Sequence, residues 1–258
     1  MDCTDSPLRW RGLRQPKSGY TEEEYEDAWA VDLASGHFAI ADGASESAFA
    51  AMWARMLAEG FVAAAQTADF STWLEAARRR WSAEVMELDL PWYADMKRAE
   101  GAFATLLGLG VRPPTPGRPG AWQAEAIGDS CLVRVRKGRR PRAFPLKRSA
   151  DFGNDPRLIG SREGMPQTPK RASGLLLPDD RLFLMTDALA QWFLRAHEGG
   201  SKPWDAVAAL LSAERPEEAF AAWVEELRSR DGLRNDDVTL LIVDIKPEDT
   251  KPAHAFTE

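Results

Sequence analysis

Cysteine is scarce in this sequence, and the features that direct a protein to a membrane or to export are missing. The two cysteines, Cys3 and Cys131, are too few for a disulfide framework, and neither has the spacing of a metal ligand. We find no signal peptide near the N-terminus, and no stretch approaches the ~20 apolar residues that a membrane span needs. These absences predict a cytoplasmic protein that has no membrane partner.

Basic residues are also fewer than acidic residues. The sequence has 33 Lys and Arg residues against 40 Asp and Glu residues, which gives a net charge of −7. This balance argues against general binding to nucleic acid or to anionic membranes. One basic stretch, residues 134–148, is typical of a solvated hairpin tip. Contact with an anionic peptide or partner is a second interpretation of that stretch, and nucleic acid is a third.

What the sequence does contain is a set of short apolar runs, each with a carboxylate at one end. Such runs predict buried strands. A charge at the mouth of a buried strand costs several kcal/mol unless a cation meets it, which indicates metal ligands. Taken alone, the first of these acids could equally be a carboxylate at a helix N-terminus. The acids are Asp42, Asp187 and Asp236, beside the apolar runs 38–41, 181–185 and 240–245.

Carboxylates from separate parts of the chain would repel one another if they converged, and cations would relieve that repulsion. Oxygen ligands suit hard ions, Mg²⁺ or Mn²⁺. Zinc is disfavoured because the three histidines and two cysteines are scattered. A pair of hard ions can hold a bridging water, lower its pKa and orient a phosphoryl group for in-line attack. We find no Ser/His/Asp or Cys/His constellation that would supply a covalent nucleophile instead.

Further acids are expected near the same strand end. Two predicted strands joined by a turn would bring Glu26 and Asp27 toward Asp42. Asp129 follows Gly128 at a predicted turn between two later strands, and ordinary turn chemistry is the alternative interpretation for it. The sequence thus predicts a local cluster of acids.

Other parts of the chain give weaker expectations. Residues 1–21 are polar and are predicted to be irregular. Ser71 is the predicted cap of a second helix, which Pro91 interrupts or ends. Residues 149–178 have few periodic apolar residues, and we expect a long surface segment of the kind that borders a site.

In this order the motifs resemble those of the metal-dependent protein serine/threonine phosphatases, the PPM or type 2C family, in its bacterial form. The resemblance runs from about Gly19 to Ile245. It implies an α+β fold, a four-layer α/β/β/α sandwich in which two central, mostly antiparallel sheets are flanked by helix pairs. Residues 1–246 would form a single phosphatase domain, and residues 247–258 a flexible tail. The motifs are Glu26-Asp27, Ala41-Asp42-Gly43, Gly128-Asp129-Ser130, Thr186-Asp187 and Asp236-Asp237-Val238-Thr239.

The resemblance also implies an activity, the hydrolysis of phosphoserine and phosphothreonine in proteins at a centre of two Mg²⁺ or Mn²⁺ ions. The partners would be a phosphorylated protein substrate and a cognate Ser/Thr kinase, in a signalling role, and the enzyme would be a monomer. Residues 149–178 would be a mobile flap near the substrate. In the implied site, Asp42 bridges both ions, the Gly43 carbonyl binds one of them, and Asp187 and Asp236 hold the other. Glu26 and Asp27 would hold water or metal at the edge of the site. Asp129, together with Asp187, would bind a third, weaker ion.

The sequence departs from the family pattern at four positions. Glu22 stands where the family usually has the arginine that binds the substrate phosphate, so another cation must replace it or substrate binding is weak. Ala44 stands where eukaryotic members have a histidine, Ala188 replaces a glycine, and Asp237 replaces an asparagine. The candidates for the replacing cation are Arg11, Arg14, Lys17 and Arg157.

Two alternatives to an active protein phosphatase stay open, the first of them because of Glu22. One is a regulatory pseudophosphatase that binds a phosphoprotein or kinase without turnover. The other is a metal-dependent phosphohydrolase that acts on a small molecule.

Overall fold

The computed structural model describes residues 7–64, 69–88, 99–153, 155–162 and 167–246. Apolar residues that alternate along the strands build two five-stranded sheets, and every strand pairing in them is antiparallel. Sheet I contains, in spatial order, β1 (Leu8–Gln15), β12 (Val238–Ile245), β11 (Arg181–Met185), β7 (Cys131–Val135) and β8 (Arg142–Phe144). Sheet II contains β10 (Lys170–Leu176), β6 (Gly120–Ile127), β5 (Leu106–Arg112), β3 (His37–Ala41) and β2 (Ala28–Asp32). A two-stranded sheet joins β4 (Phe103–Ala104) to β9 (Ile159–Gly160).

Helices cover the outer faces of the two sheets. The described helices are α1 (Ala50–Ala64), α2 (Phe70–Met86), α3 (Asp187–Glu198), α4 (Pro203–Leu211) and α5 (Pro216–Arg230), with short 3₁₀ turns at Glu22–Glu24 and Ser149–Asp151. One hydrophobic cluster lies between α1, α2 and sheet II, and another lies between sheet I and α3 to α5. A third cluster fills the space between the sheets. The expected four-layer sandwich is therefore confirmed.

Period-two alternation decides which layer each strand residue enters. On β3, Phe38 and Ile40 belong to the cluster between the sheets, whereas Ala39 and Ala41 pack toward α1. By the same alternation, the position after Ala41 points back toward the space between the sheets. The side chain of Asp42 is thereby directed to the open edge of the central layer.

Three sequence expectations are wrong in detail. Residues 8–15, predicted to be irregular, form the edge strand β1. The sequence does not mark this strand clearly, because only Leu8 and Leu13 are buried in it. The α2 helix is capped by Asp69, which accepts a hydrogen bond from the Thr72 amide, and not by Ser71. Within the segment 149–178, predicted to run along the surface, residues 170–176 pair with β6 as β10.

Two further expectations fall on parts of the chain that the structure does not describe. Pro91 and the C-terminal tail, residues 247–258, lie outside the described residues. Among the helices that are described, none has both the length and the apolar character required to cross a membrane.

Candidate metal centre

The site is built where strands from both sheets end on the same side of the sandwich. Asp42 follows β3 of sheet II, and its backbone forms hydrogen bonds with Thr105, the residue immediately before β5. The Thr105 amide donates to the Asp42 carbonyl oxygen at 2.8 Å, and the Asp42 amide donates to Thr105 Oγ1 at 3.3 Å. Thr105 Oγ1 also lies 2.9 Å from Ser130 Oγ, on the turn that precedes β7 of sheet I. This threonine therefore connects the segment of Asp42 to that of Asp129.

Asp27 belongs to a buried hydrogen-bond network that starts on β12. Thr239 Oγ1 donates to Asp27 Oδ2 at 2.7 Å, and the Thr239 amide donates to Thr186 Oγ1 at 2.9 Å. The Tyr25 hydroxyl makes a short hydrogen bond to Thr239 Oγ1 and donates to the Val238 carbonyl at 3.2 Å. These contacts fix one oxygen of Asp27 and leave the other, Oδ1, without a partner in the described structure.

Asp187 is the first residue of α3, and its carboxylate meets a cation that the sequence motifs did not indicate. The Arg234 guanidinium donates to Asp187 Oδ2 in a very short ion pair, and its Nη2 lies 3.8 Å from Asp236 Oδ2. The loop that carries these residues is held from α5, where Arg228 Nη2 donates to the Asp236 carbonyl at 2.6 Å. Arg234 thus lies between two of the expected metal ligands.

The electrostatics of the cluster show that its acids are close together. Burial raises the pKa of Asp42 well above its usual value, and the charges of Asp27, Asp187, Asp236 and Asp129 raise it further. Burial likewise raises the pKa of Asp27 and Asp236, and neighbouring carboxylates add to both shifts. Five acids from distant parts of the chain therefore share one region and repel one another.

Asp129 lies on the turn between β6 and β7, as the sequence predicted. Gly128 adopts a φ of +104°, and a Cβ on it would lie 2.5 Å from the Thr105 side chain. Burial, followed by the Asp187 charge, raises the pKa of Asp129 to about 7. Its Oδ1 atom is buried without a described hydrogen-bond partner, so turn chemistry alone does not account for this carboxylate.

Gly43 and Glu26 lie at the rim of the cluster. A Cβ on Gly43 would be 2.7 Å from the Glu26 carbonyl oxygen, so the chain has no room for a side chain there. Lys17 Nζ donates to Glu26 Oε2 at 3.0 Å and to Ser45 Oγ at 2.9 Å. Burial alone would lower the pKa of Lys17. The hydrogen bond and negative charge of Glu26, followed by the charges of Asp237 and Asp236, outweigh burial and raise the pKa.

Asp237 has a structural role that explains its departure from the family pattern. Its Oδ1 accepts the Lys17 amide at 2.8 Å, and its Oδ2 accepts the Glu26 amide at 2.7 Å. A carboxylate can accept on both oxygens, whereas an asparagine offers only one acceptor. Asp237 therefore fastens the segment that carries Lys17 and Glu26 to the beginning of β12.

The structure also separates the four cations that could replace the missing phosphate-binding arginine. Arg14 pairs with Glu22 at 2.8 Å, and Arg11 pairs with Glu217 of α5 at 2.7 Å. Arg157 Nη2 donates to a glutamine, Gln167, at 3.4 Å. Lys17 is the one among these candidates whose ion pair joins it to the rim of the acid cluster.

The chemistry of the donors fits hard divalent cations. One buried oxygen each of Asp27, Asp129 and Asp187 has no hydrogen-bond partner in the described structure, and every side chain in the cluster that could bind a metal offers oxygen. Among the described residues, no three Asp, Glu, His or Cys side chains already surround a common point as metal ligands. Arg234 pairs with Asp187 and lies 3.8 Å from Asp236, so a cation held by these two acids would compete with this guanidinium.

Local sequence patterns did not reveal the role of Arg234, and they left Lys17 as one of four candidate cations. Both contact acids through the tertiary fold, and Lys17 lies 220 positions from Asp237. The only local signal was the position of Arg234, two residues before Asp236. A cation placed so close to a predicted metal ligand is a feature that sequence inspection could have noted.

Comparisons with known proteins agree with this architecture. The sequence matches the family described as Stage II sporulation protein E (SpoIIE) over residues 36–246. No curated protein matches it significantly. The catalytic domain of the serine/threonine protein phosphatase PstP, solved with two manganese ions, is 20% identical with a TM-score of 0.58, and the match covers 93% of this chain and 99% of that one.

Two other solved structures give the same result. PppA, described as a regulatory component of the T6SS in Pseudomonas aeruginosa, is 18% identical with a TM-score of 0.56, over 92% of this chain and 97% of that one. RsbX, solved in complex with magnesium, is 14% identical with a TM-score of 0.51, over 93% and 96%. These matches confirm the phosphatase fold and the family resemblance that the sequence motifs indicated.

Proposed function

Because the chain belongs to the SpoIIE family and has the fold of the PPM phosphatases, we propose that it is a metal-dependent phosphatase of phosphoserine and phosphothreonine in proteins. In this proposal residues 1–246 form one catalytic domain that acts as a monomer in the cytoplasm. Its partners are a phosphorylated protein and the kinase that phosphorylates it.

One observation carries the proposal. The five acids Asp27, Asp42, Asp129, Asp187 and Asp236 arrive from distant parts of the chain. Burial raises the pKa of Asp27, Asp42, Asp129 and Asp236, and the charge of Asp187 adds to each of these shifts. Mutual repulsion of this kind destabilises a folded protein unless cations offset it, and perturbed carboxylates cluster at functional sites. A centre for divalent cations accounts for both features.

Asp42, the Gly43 carbonyl, Asp187 and Asp236 would hold two Mg²⁺ or Mn²⁺ ions, with Asp27 and Glu26 at the edge and Asp129 beside a third. When bound, the ions would supply charge neutralisation and an activated water for attack on phosphorus. Thr105 orients Asp42 through hydrogen bonds to both the amide and the carbonyl of that residue. Thr239 orients Asp27 from β12.

Lys17 is the residue that we assign to the substrate phosphate in place of the missing arginine. Its ammonium group is mostly buried, with 12% of the side chain exposed, and it lies beside Ser45, three residues after Asp42. The carboxylate of Asp237 holds the Lys17 backbone in place. A pre-positioned cation next to the acid cluster can pair with a phosphate dianion, whereas the Glu22 carboxylate pairs with Arg14.

The direct test is turnover of a phosphoserine or phosphothreonine peptide. We expect release of phosphate with Mn²⁺ or Mg²⁺, complete loss of release after chelation with EDTA, and recovery when the ion is restored. A folded protein that releases no phosphate at saturating Mn²⁺ would rule out the catalytic proposal. Comparison with p-nitrophenyl phosphate and with small phosphate esters separates a protein phosphatase from a small-molecule phosphohydrolase.

Substitution of Lys17→Met should raise the KM for the phosphopeptide about 10-fold, because one charge-assisted contact to the phosphate is lost. The kcat should change far less, since the acid cluster is intact. Arg11→Met is the matched control, because Arg11 is an exposed cation paired with Glu217 on α5. Steady-state kinetics at saturating Mn²⁺ would contradict the assignment if Lys17→Met and Arg11→Met had the same KM.

The second candidate function is a pseudophosphatase that binds a phosphoprotein or kinase without turnover. It is favoured by two contacts, namely the Arg234 guanidinium between Asp187 and Asp236, and the pairing of Glu22 with Arg14. The assays above separate the two functions. Phosphopeptide binding without phosphate release at saturating metal would favour the pseudophosphatase.

A further inference from the structure

Within the described residues, the loop between β7 and β8 carries a concentrated basic surface. A cavity of about 500 Å³ there is lined by arginines and one proline, and no carboxylate lines it. The cavity lies at the far end of β7 from Asp129, roughly 17 Å along a five-residue strand. We call it the arginine pocket, and its lining residues are Arg134, Arg136, Arg139, Arg140, Pro141 and Arg142.

The innermost arginine of the pocket is buried and incompletely paired. Only 9% of the Arg134 side chain is exposed. Its Nη1 donates to the Leu175 carbonyl at 3.1 Å and lies 4.0 Å from Asp180, while its Nε has no hydrogen-bond partner in the described structure. A buried guanidinium that lacks a full set of acceptors is costly, and an anion bound in the pocket would offset its charge.

Of the remaining arginines, one forms an ion pair within the fold, and three are not paired with a described carboxylate. Arg136 forms two hydrogen bonds of 2.6 Å to the two carboxylate oxygens of Asp180. This pair holds the loop against the beginning of β11. Arg139, Arg140 and Arg142 have no ion pair to any described carboxylate. Three guanidinium groups thus surround the pocket without a counter-ion from the described chain.

We propose that the arginine pocket is a second phosphate-recognition site, which docks a phosphorylated segment of a protein partner away from the acid cluster. Guanidinium groups bind phosphate through paired hydrogen bonds, and several around one cavity match a phosphoserine with acidic neighbours. The inference goes beyond the proposed catalysis, because docking at this pocket does not require turnover at the metal centre.

The surroundings favour a peptide over nucleic acid. Leu175, whose carbonyl accepts from both Arg134 and Arg136, has 59% of its surface exposed, and Leu177 has 40%. Exposed leucines beside the arginines fit an apolar residue next to the phosphate. The pocket lining contains no aromatic side chain on which a base could stack.

Binding is best measured with the metal-free protein in EDTA, where the proposed catalytic centre cannot hydrolyse the probe. The probe is a fluorescein-labelled peptide that carries two phosphoserines flanked by glutamate and leucine, and the readout is fluorescence anisotropy at fixed ionic strength. The test variant is Arg139→Gln/Arg140→Gln/Arg142→Gln, which should weaken binding about 10-fold or more. The control Arg79→Gln/Arg215→Gln/Arg230→Gln removes the same charge from exposed positions in α2, just before α5 and at the end of α5, and should change affinity less than about 2-fold.

Several results would overturn the docking site. The first is that the protein does not bind the phosphopeptide, and the second is that both triple variants lose affinity for it to the same extent. The third is that a single-stranded oligonucleotide or anionic vesicles bind more tightly than the peptide. Competition by inorganic phosphate, and weaker binding of the unphosphorylated peptide, would support it. If phosphopeptide turnover fails at saturating Mn²⁺ while this binding persists, the catalytic proposal falls and the docking site stands.

Discussion

Replacing Asp42 by asparagine is expected to lower phosphopeptide turnover at saturating Mn²⁺ by about 10³-fold or more, since the stabilisation that bound metal ions provide amounts to several kcal/mol. Asparagine has nearly the same shape, so the fold should be kept. The measurement is kcat on a phosphoserine peptide. The control is Asp205→Asn on the exposed face of α4, which should retain activity.

The same substitution should stabilise the protein when no metal is present. Burial and four neighbouring carboxylates raise the pKa of Asp42, so its charge opposes folding at neutral pH. A neutral amide at this position should raise the free energy of unfolding by about 1 kcal/mol in EDTA, as is common when an active site is relieved of a destabilising group. Mn²⁺ should then raise the melting temperature of the variant far less than that of the original protein. Greater stability of the original protein in EDTA would contradict the repulsion.

Replacing Arg234 by glutamine is expected to tighten Mn²⁺ binding about 10-fold, because the ions would no longer have to displace a guanidinium from Asp187 and Asp236. Burial works against the charge on Arg234, but Asp187, followed by Asp236 and Asp129, outweighs it and raises the pKa. The metal-free variant should therefore melt at a lower temperature than the original protein, since Asp187 and Asp236 lose the guanidinium that faces them.

Calorimetric titration with Mn²⁺ would measure the tighter metal binding of Arg234→Gln. Thermal melts in EDTA would measure its lower melting temperature. Arg230→Gln is the control, because Arg230 is exposed and pairs only with Glu226 one helical turn earlier. Weaker Mn²⁺ binding in Arg234→Gln than in the control would show that the arginine supports the metal site instead of competing for it. Loss of turnover with tighter metal binding would give Arg234 a role toward substrate.

The positions of the central acids could be predicted because each follows or precedes a short apolar run. The run that ends at Ala41 is a strand in the structure, and alternation along it directs Asp42 to the edge of the layer between the sheets. Strand periodicity is a local property, so it is visible in sequence. The same holds for Asp187, which follows β11 and opens α3.

The features that sequence analysis missed depend on partners far away in the chain. The edge strand β1 pairs with β12, more than 220 positions later, and has few buried residues of its own to mark it. The role of Arg234, and the choice of Lys17 among the four candidate cations, likewise depend on acids that the fold brings to them. Such contacts leave no periodic pattern in the sequence, and residue type alone does not specify them.

The helix cap at Asp69 was missed for a different reason. Asp69 and Ser71 are both good capping residues, and the true cap is decided by which side chain reaches the Thr72 amide. The Asp69 carboxylate accepts from the hydroxyl groups of both Ser71 and Thr72, so the residue that was predicted to be the cap instead supports it.

The most direct test of the metal centre is calorimetric titration of the metal-free protein with Mn²⁺, beside Asp42→Asn. The clustered, mutually repelling carboxylates predict that the original chain binds at least two ions and that the variant loses binding. A chain that takes up no Mn²⁺, or one whose binding is the same with asparagine at position 42, would contradict a metal centre at these acids.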